Sequence, residues 1–438
     1  MSRAADRERM NGPVSHPPGS PPGASMCEVH GGRVLRMLSN TARPIVEATL
    51  PVVGANIGTI TERFYGHLFT EHPELLDGTF NRGNQAAGTQ QQALAGSVAA
   101  FASALVTSPD RPPERLLSRI AHKHASLGVQ PEQYKVVHDH LMWAIGDVLG
   151  DAVTPAVAAA WDEVYWLMAN ALINAERDLY SARGVQPETT WRRWRVEDKI
   201  AETADVDTFV VTPVDGLAAP ASLPGQYVTV LVTMPDGVRQ PRQYSLTRTD
   251  DGRNCQFSVK WVHGDGMPDG EVSSLLHHTI AVGDELTMSP PYGDVVLGDT
   301  TRPVVCASAG IGITPMAGIL SHLAAAGSTT RVMLLHADLD ERSFALRRQV
   351  VGDIAALPGS SVHVWYERGA ETELPLTDVF AGTMDLSRVP LPDGAVCYLC
   401  GPLPFMQAIR SSLIERGVAA HDIRYEIFGP DLWLAHGG

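Results

Sequence analysis

Basic charge is in short supply. Lys and Arg total 34 against 49 Asp and Glu, and the formal net charge of -15 argues against nucleic acid or another polyanion as the partner. Cysteine is also scarce: Cys27, Cys255, Cys306, Cys397 and Cys400 are five, odd in number and scattered, which fits reduced thiols in a cytoplasmic protein better than a disulfide framework. Cys397 and Cys400 have CxxC spacing in AVCYLCGP, but the run reads as a buried strand, where residues three apart point to opposite faces. That arrangement disfavours a redox or metal pair. Long apolar runs are missing too. The most apolar window, VVCASAGIGITPMAGIL, is cut by three glycines, a serine and a proline, so it reads as strand, loop and helix and no membrane span is expected. The opening MSRAADRERMNGPVSHPPGSPPGAS lacks the apolar core of a signal peptide. Its Pro, Gly and Ser content predicts a disordered extension over residues 1–36, with Met26 and Met37 as alternative translation starts.

What is present falls into three periodicities. The 438 residues are too many for one core. Over 37–183 apolar positions recur at helical spacing, as in Val53, Ile57, Ile60, Phe64 and Leu68 or Leu94, Val98, Phe101 and Leu105, so this third is all α. From 184 to 300 the pattern changes to alternation broken by Pro and Gly (WRRWRVEDKI, GQYVTVLVTM, CQFSVKWV), which predicts a small antiparallel β-barrel. From 301 to 438 apolar strands alternate with helical segments, as in RVMLLHA, SVHVWY and PFMQAIRSSLIERG; that is an α/β domain with a parallel doubly wound sheet.

Polar residues on an apolar helical stripe carry the chemical signal in the first third. In LLSRIAHKHASLGVQPEQY, Leu117, Ile120, His124 and Leu127 share a face, while His122 and Lys123 fall away from it. Gln90 continues the Leu94 stripe one turn earlier, and Glu176 interrupts Met168, Leu172 and Leu179. An unpaired buried polar group costs roughly 1–3 kcal/mol, so these residues need partners. If a metal sits against His124, a carboxylate such as Glu176 on its other ring nitrogen would fix the tautomer, and Tyr134 on the next helix could join them. Periodicity alone does not separate this from a hydrogen-bonded core histidine. The other histidines read as surface or core positions.

In PRQYSLTR, Arg242 and Tyr244 share one strand face and Ser245 takes the other. DGEVSSLLH opens a helix whose N-terminal amides suit a phosphate. CASAGIGITPM is GxGxxP between a strand and a helix, where Gly310 and Gly312 permit a tight turn and Pro315 stands near the helix start. CGP, at Cys400, Gly401 and Pro402, ends a later strand.

FYGHLFTEHPELLDGTFN, KHASLGVQPEQY and WLMANALINAERDLY resemble the globin domain of bacterial and fungal flavohaemoglobins, and the likeness runs from about Met37 to the C-terminus. The match is interrupted by one extra residue before Phe80 and a slightly long SPDRPPE loop. The resemblance implies haem b on His124 as proximal ligand, with Tyr134 and Glu176 as its hydrogen-bonding partners. On the distal side it implies Tyr65 and Gln90 against dioxygen, Leu94 bordering the access route and Phe80 packed on the haem. The middle third resembles the FAD-binding part of ferredoxin-reductase-type enzymes, which implies FAD contacts from Tyr227, Arg242, Gln243, Tyr244, Ser245, Gly270, Val272 and Ser273. A site for NADH or NADPH is implied at Gly310, Gly312, Thr314, Pro315, Cys400, Gly401 and Pro402, and the closing YEIFGP places Glu426, Phe428, Gly429 and Pro430 near flavin and nicotinamide. Acidic residues around HADLDERSF do not decide between NADH and NADPH; NADH is the choice the family implies. The activity so implied is a nitric oxide dioxygenase of the cytoplasm, monomeric, passing electrons from NAD(P)H through FAD to haem and turning NO and O2 into nitrate. A peroxide or NO reductase with the same cofactors, a gas sensor, and an oxygen carrier with its own reductase are the rival readings.

Overall fold

The three periodicities become three bodies in a computed structural model, which describes residues 26–29, 33–86, 88–108, 113–249, 251–264, 269–369 and 377–429. Ahead of them β1 (Met26–Val29) and β2 (Arg33–Arg36) pair antiparallel. This corrects the expected disorder of 1–36 in its last part: MCEV and RVLR are stretches of strand-favouring residues. Residues 1–25, most of the SPDRPPE loop, and Pro430 lie outside the described residues.

Six helices form the first body: α1 (Ala42–Glu71), α2 (Arg82–Ala86), α3 (Thr89–Thr107), α4 (Glu114–Leu127), α5 (Pro131–Leu149) and α6 (Pro155–Arg183). The expected α1 stripe faces inward, with Val53, Ile60, Phe64 and Leu68 buried against Phe101, Leu141, Trp161 and Leu172. Local chemistry sets the ends. Pro131 opens α5 behind a capping box of Gln130 and Gln133, and Thr154 caps α6 by accepting from the Val157 amide. Gly128 and Gly184 end α4 and α6 in the left-handed conformation.

A histidine pair bolts α1 to α5. His67 Nδ1 and His140 Nδ1 are 2.6 Å apart, and the Trp143 ring stacks on His67 at 3.8 Å. At that separation the neighbouring ring opposes a charge on His140. Burial, then His67 and His72, holds the His140 pKa below the ordinary histidine value. The folded state therefore disfavours protonation, so this contribution to stability is present above the unfolded histidine pKa and is lost as pH falls through the lower folded one. Melting temperature should drop between pH 7 and pH 5, and His140→Phe should shrink that drop by roughly 3 °C in a calorimetric scan. An unchanged pH slope would show that His140 does not carry this pH dependence.

The second body is an antiparallel sheet of β3 (Arg192–Ala201), β4 (Val206–Pro213), β5 (Tyr227–Thr233), β6 (Arg239–Ser245), β7 (Cys255–Lys260) and β8 (Glu285–Met288). Its order is β6-β5-β8-β3-β4-β7, and a bridge between Leu246 and Phe257 brings the two edges together. Before β8, α7 (Glu271–His278) closes one end. The third body contains β9 (Val304–Ala309), α8 (Ile313–Ala325), β10 (Val332–Asp338), α9 (Arg347–Ala355), β11 (Ser361–Tyr366), β12 (Thr377–Ala381), β13 (Val396–Cys400), α10 (Leu403–Glu415) and β14 (Ile423–Glu426). All its strand pairs are parallel, in the order β12-β11-β10-β9-β13-β14. Cys397 and Cys400 enter the cores on opposite sheet faces. Burial pushes the Cys397 thiol up to about 12 and the Cys400 thiol well above its usual value, so neither is poised for thiolate chemistry. Among the described residues no helix is long and apolar enough to cross a membrane.

Candidate functional site

The helical body encloses a cavity of about 300 Å³ whose walls are mainly aliphatic and aromatic. His124 enters it from α4. The Nδ1 atom lies 2.9 Å from the Glu176 carboxylate and 2.9 Å from the Tyr134 hydroxyl, and Tyr134 donates to the same carboxylate oxygen at 2.5 Å. Both hydrogen-bond partners of the ring use Nδ1, so Nε2, on the opposite edge, is the nitrogen left for a ligand in the cavity. Glu176 is only 2% exposed; its place on an apolar stripe is explained by these two partners. Burial, then the Glu176 charge, holds the Tyr134 hydroxyl firmly protonated, so it remains a donor.

Tyr65 from α1, Gln90 and Leu94 from α3, and Phe80 from the loop before α2 line the same cavity. Tyr65 and Gln90 are hydrogen-bonded to each other, and burial raises the tyrosine pKa despite that bond. The Phe80 ring stands edge-on to Tyr65 at 6.1 Å. An imidazole nitrogen aimed into an apolar slot, with a tyrosine and a glutamine as polar groups in another wall, is the donor set that fits a haem.

The second face of α4 meets another folded surface. His122 is not turned to solvent: its Nδ1 accepts from the Gly293 amide at 2.9 Å and its ring meets Tyr292 edge-on. Burial lowers its pKa. Lys123 borders the cavity and donates to the Gly429 carbonyl. Helical phase was right that these residues leave the His124 face; a second folded surface occupies the side to which they turn. Arg115 and Arg119 donate to the carbonyls of His421 and Tyr425, and Arg119 lies over the Tyr425 ring at 4.6 Å. Their spacing of four with Lys123 was the available sequence signal. Ser126, which sequence reasoning passed over, accepts from Thr229 at 2.8 Å and from Gln243 at 3.1 Å, and Tyr227 shares it. One helix therefore offers His124 to the cavity and Ser126 to the strands β5 and β6.

On β6, Arg242 and Tyr244 share a face as alternation requires. Tyr244 stacks on Phe257 at 5.5 Å, and Arg242 feels the charge of Glu271 at the start of α7. Gln243 turns the other way, to α4, and Ser245 is buried. Gly270 approaches its neighbours so closely that a Cβ would lie 2.7 Å from Ser273 Oγ. The Ser273 hydroxyl itself bonds to the Gly270 carbonyl and the Val262 amide, and Val272 is buried in the barrel core.

In the third body Gly310 has φ +52 and Gly312 packs flat on the end of β13: a Cβ there would lie 2.3 Å from the Cys400 carbonyl oxygen. GxG and CGP, far apart in the chain, thus form one platform at the carboxyl ends of neighbouring parallel strands, where such sheets bind ligands. Thr314 and Pro315 are buried in the first turn of α8, and the Thr314 hydroxyl is spent on the Ile311 carbonyl. Pro402 precedes α10. Glu426 is buried at the cavity mouth beside Gly429, whereas Phe428 is 47% exposed.

Residues 62–172 match the Globin family, and residues 307–411 match the oxidoreductase NAD-binding domain. A flavohemoprotein of Bordetella pertussis is 42% identical over 404 residues, covering 90% of this chain and 99% of that protein. One from Rhizobium meliloti is 38% identical over 405 residues, covering 91% and 100%. The crystal structure of a flavohemoglobin from Malassezia yamatoensis with bound FAD and heme superposes with a TM-score of 0.81 at 37% identity, covering 90% of this chain and all of that one. The FAD/NAD-binding domain of a nitric oxide dioxygenase from Vibrio cholerae gives 0.50 at 37% identity, covering 55% of this chain and 99% of that one.

Proposed function

The chain belongs to the flavohaemoglobin family, and on that premise we propose that it is an NAD(P)H-driven nitric oxide dioxygenase, converting NO and O2 to nitrate. In this reading His124 Nε2 holds haem b; Tyr227, β6 and the start of α7 hold FAD; and the Gly310–Gly312 and CGP platform holds NADH or NADPH. Haem supplies oxygen binding and one-electron chemistry, while FAD divides the two-electron hydride into single electrons.

The observation that carries the reading is the carboxylate behind His124. A ligand imidazole hydrogen-bonded through Nδ1 to a buried carboxylate gains imidazolate character and donates more strongly, which suits reaction with oxygen over its storage. Tyr134 keeps the carboxylate in place by donating to the same oxygen. Across the cavity, Tyr65 and Gln90 supply hydrogen bonds to a ligand that gains negative charge, each worth roughly 1.5–3 kcal/mol. Mainly apolar walls leave few polar groups to hold water beside a ligand on His124. The Ser126 contacts with Gln243 and Thr229 hold α4 against the flavin strands, shortening the distance electrons must cover.

Purified holoprotein supplied with oxygen and NADH should convert NO to nitrate in step with NO consumption, measured by nitrate analysis and an NO electrode. Failure to form nitrate, or faster turnover with peroxide than with NO, would overturn the assignment.

A further inference from the structure

A second junction between the helical body and the barrel lies far along the chain from α4. The loop that carries Phe80 into the cavity is fastened to the first residues of β6. Arg239 donates from its amide to Asp77 Oδ1 at 2.7 Å and from its guanidinium to Asp77 Oδ2 at 2.8 Å. In return the Gly78 amide donates to the Arg239 carbonyl at 2.9 Å. Gln240, with no exposed surface, accepts from the Arg82 amide at 3.1 Å and donates to the Phe80 carbonyl at 3.4 Å. Arg82 then reaches Asp236 in the β5–β6 turn at 2.6 Å and faces Glu271, at the start of α7, at 3.9 Å. Asp77, Gly78, Phe80 and Arg82 are thus held by β6, the turn before it and α7, and β6 and α7 also present proposed flavin contacts.

Strand geometry makes this more than adhesion. Gln240, Arg242 and Tyr244 alternate along β6 on one face, so the group that grips the Phe80 backbone is in fixed register with the residues assigned to FAD. We propose that Asp77, Arg82, Arg239 and Gln240 form a clamp that positions Phe80 in the distal wall of the haem cavity in register with the flavin strand. They are positioning residues for the oxygen and NO reaction, a role that rests on the haem and FAD assignment above. The Asp77–Arg239 pair is about half exposed on both sides, and such pairs contribute little to global stability. The α4 contacts with β5 and β6 remain in place without it. Its loss should therefore leave the chain folded and the domains docked while releasing the loop.

The test uses ferrous holoenzyme with CO as the probe, comparing wild type, Asp77→Ala, Arg239→Ala and the double variant. CO recombination after flash photolysis should be about threefold faster in Asp77→Ala, faster by less in Arg239→Ala, whose backbone amide still donates to Asp77, and no faster in the double variant than in Asp77→Ala, because the side-chain coupling is already lost there. Haem and flavin absorbance per chain should stay at wild-type levels. Single variants with the wild-type CO rate, or effects that multiply in the double, overturn the clamp. A wild-type holoprotein that forms no CO complex would sink the haem assignment with it, whereas a normal wild-type complex whose rate the variants leave unaltered counts against the clamp alone.

Discussion

Replacing His124 with alanine should yield a protein that keeps FAD and reduces it with NADH but shows no Soret band and makes no nitrate. The ring is the nitrogen donor whose other edge is committed to Glu176 and Tyr134, and among the described residues that line the cavity no other imidazole remains to bind iron. Removing a hydrogen-bond partner of a metal ligand already lowers affinity or activity about 10- to 100-fold; loss of the ligand itself should exceed that range. Glu176→Gln gives the graded counterpart. An amide fills the same space and can accept from Nδ1–H, so haem should stay, but the imidazole loses its charged partner and NO turnover should fall within that range. Full haem content in His124→Ala, read by the pyridine haemochrome assay, would contradict the assignment of the ligand.

Gly312→Ala should be the most damaging change in the third body. The added Cβ would lie 2.3 Å from the Cys400 oxygen, 2.6 Å from the Cys400 carbonyl carbon and 2.9 Å from the Gly401 nitrogen. All three are backbone atoms of β13 or the turn after it and cannot rotate away. Overpacking of this kind costs about 1–3 kcal/mol, and the only relief is to part the GxG turn from CGP, which splits the nucleotide platform. The Michaelis constant for NADH should rise by about tenfold or more, while reduction of the flavin by dithionite and the CO complex of the haem stay as in wild type. An unchanged Michaelis constant would mean that the two glycine turns do not act as one site. Gly318, where a Cβ would lie 2.3 Å from the Leu246 carbonyl oxygen, marks the matching close approach between α8 and the barrel.

Much of this was legible in the chain. Three periodicities gave three bodies because each body buries its own core, and the polar exceptions on apolar stripes, His124 and Glu176, met each other as their need for partners required. Resemblance supplied the cofactors that periodicity could not. What escaped the sequence lies between bodies. His122 and Lys123 occupy the polar side of α4, and a polar helix face looks the same whether it meets water or the carbonyls of another domain. Ser126 is a small hydroxyl with no periodic signature, yet it receives hydrogen bonds from Thr229 and Gln243. The Asp77–Arg239 and Gln240–Phe80 contacts join residues about 160 apart, and no local pattern encodes such a pairing. The strands at Met26–Val29 and Arg33–Arg36 were hidden for another reason: four-residue stretches are too short to show a period.

Anaerobic mixing of the oxidised holoenzyme with NADH under CO, followed by stopped-flow absorbance, tests whether the three bodies form one electron path. Flavin absorbance should bleach first and the Soret band should then move to the ferrous CO position, without added mediator and at a rate independent of protein concentration. Flavin that stays reduced beside ferric haem, or haem reduction whose rate scales with protein concentration, would contradict it.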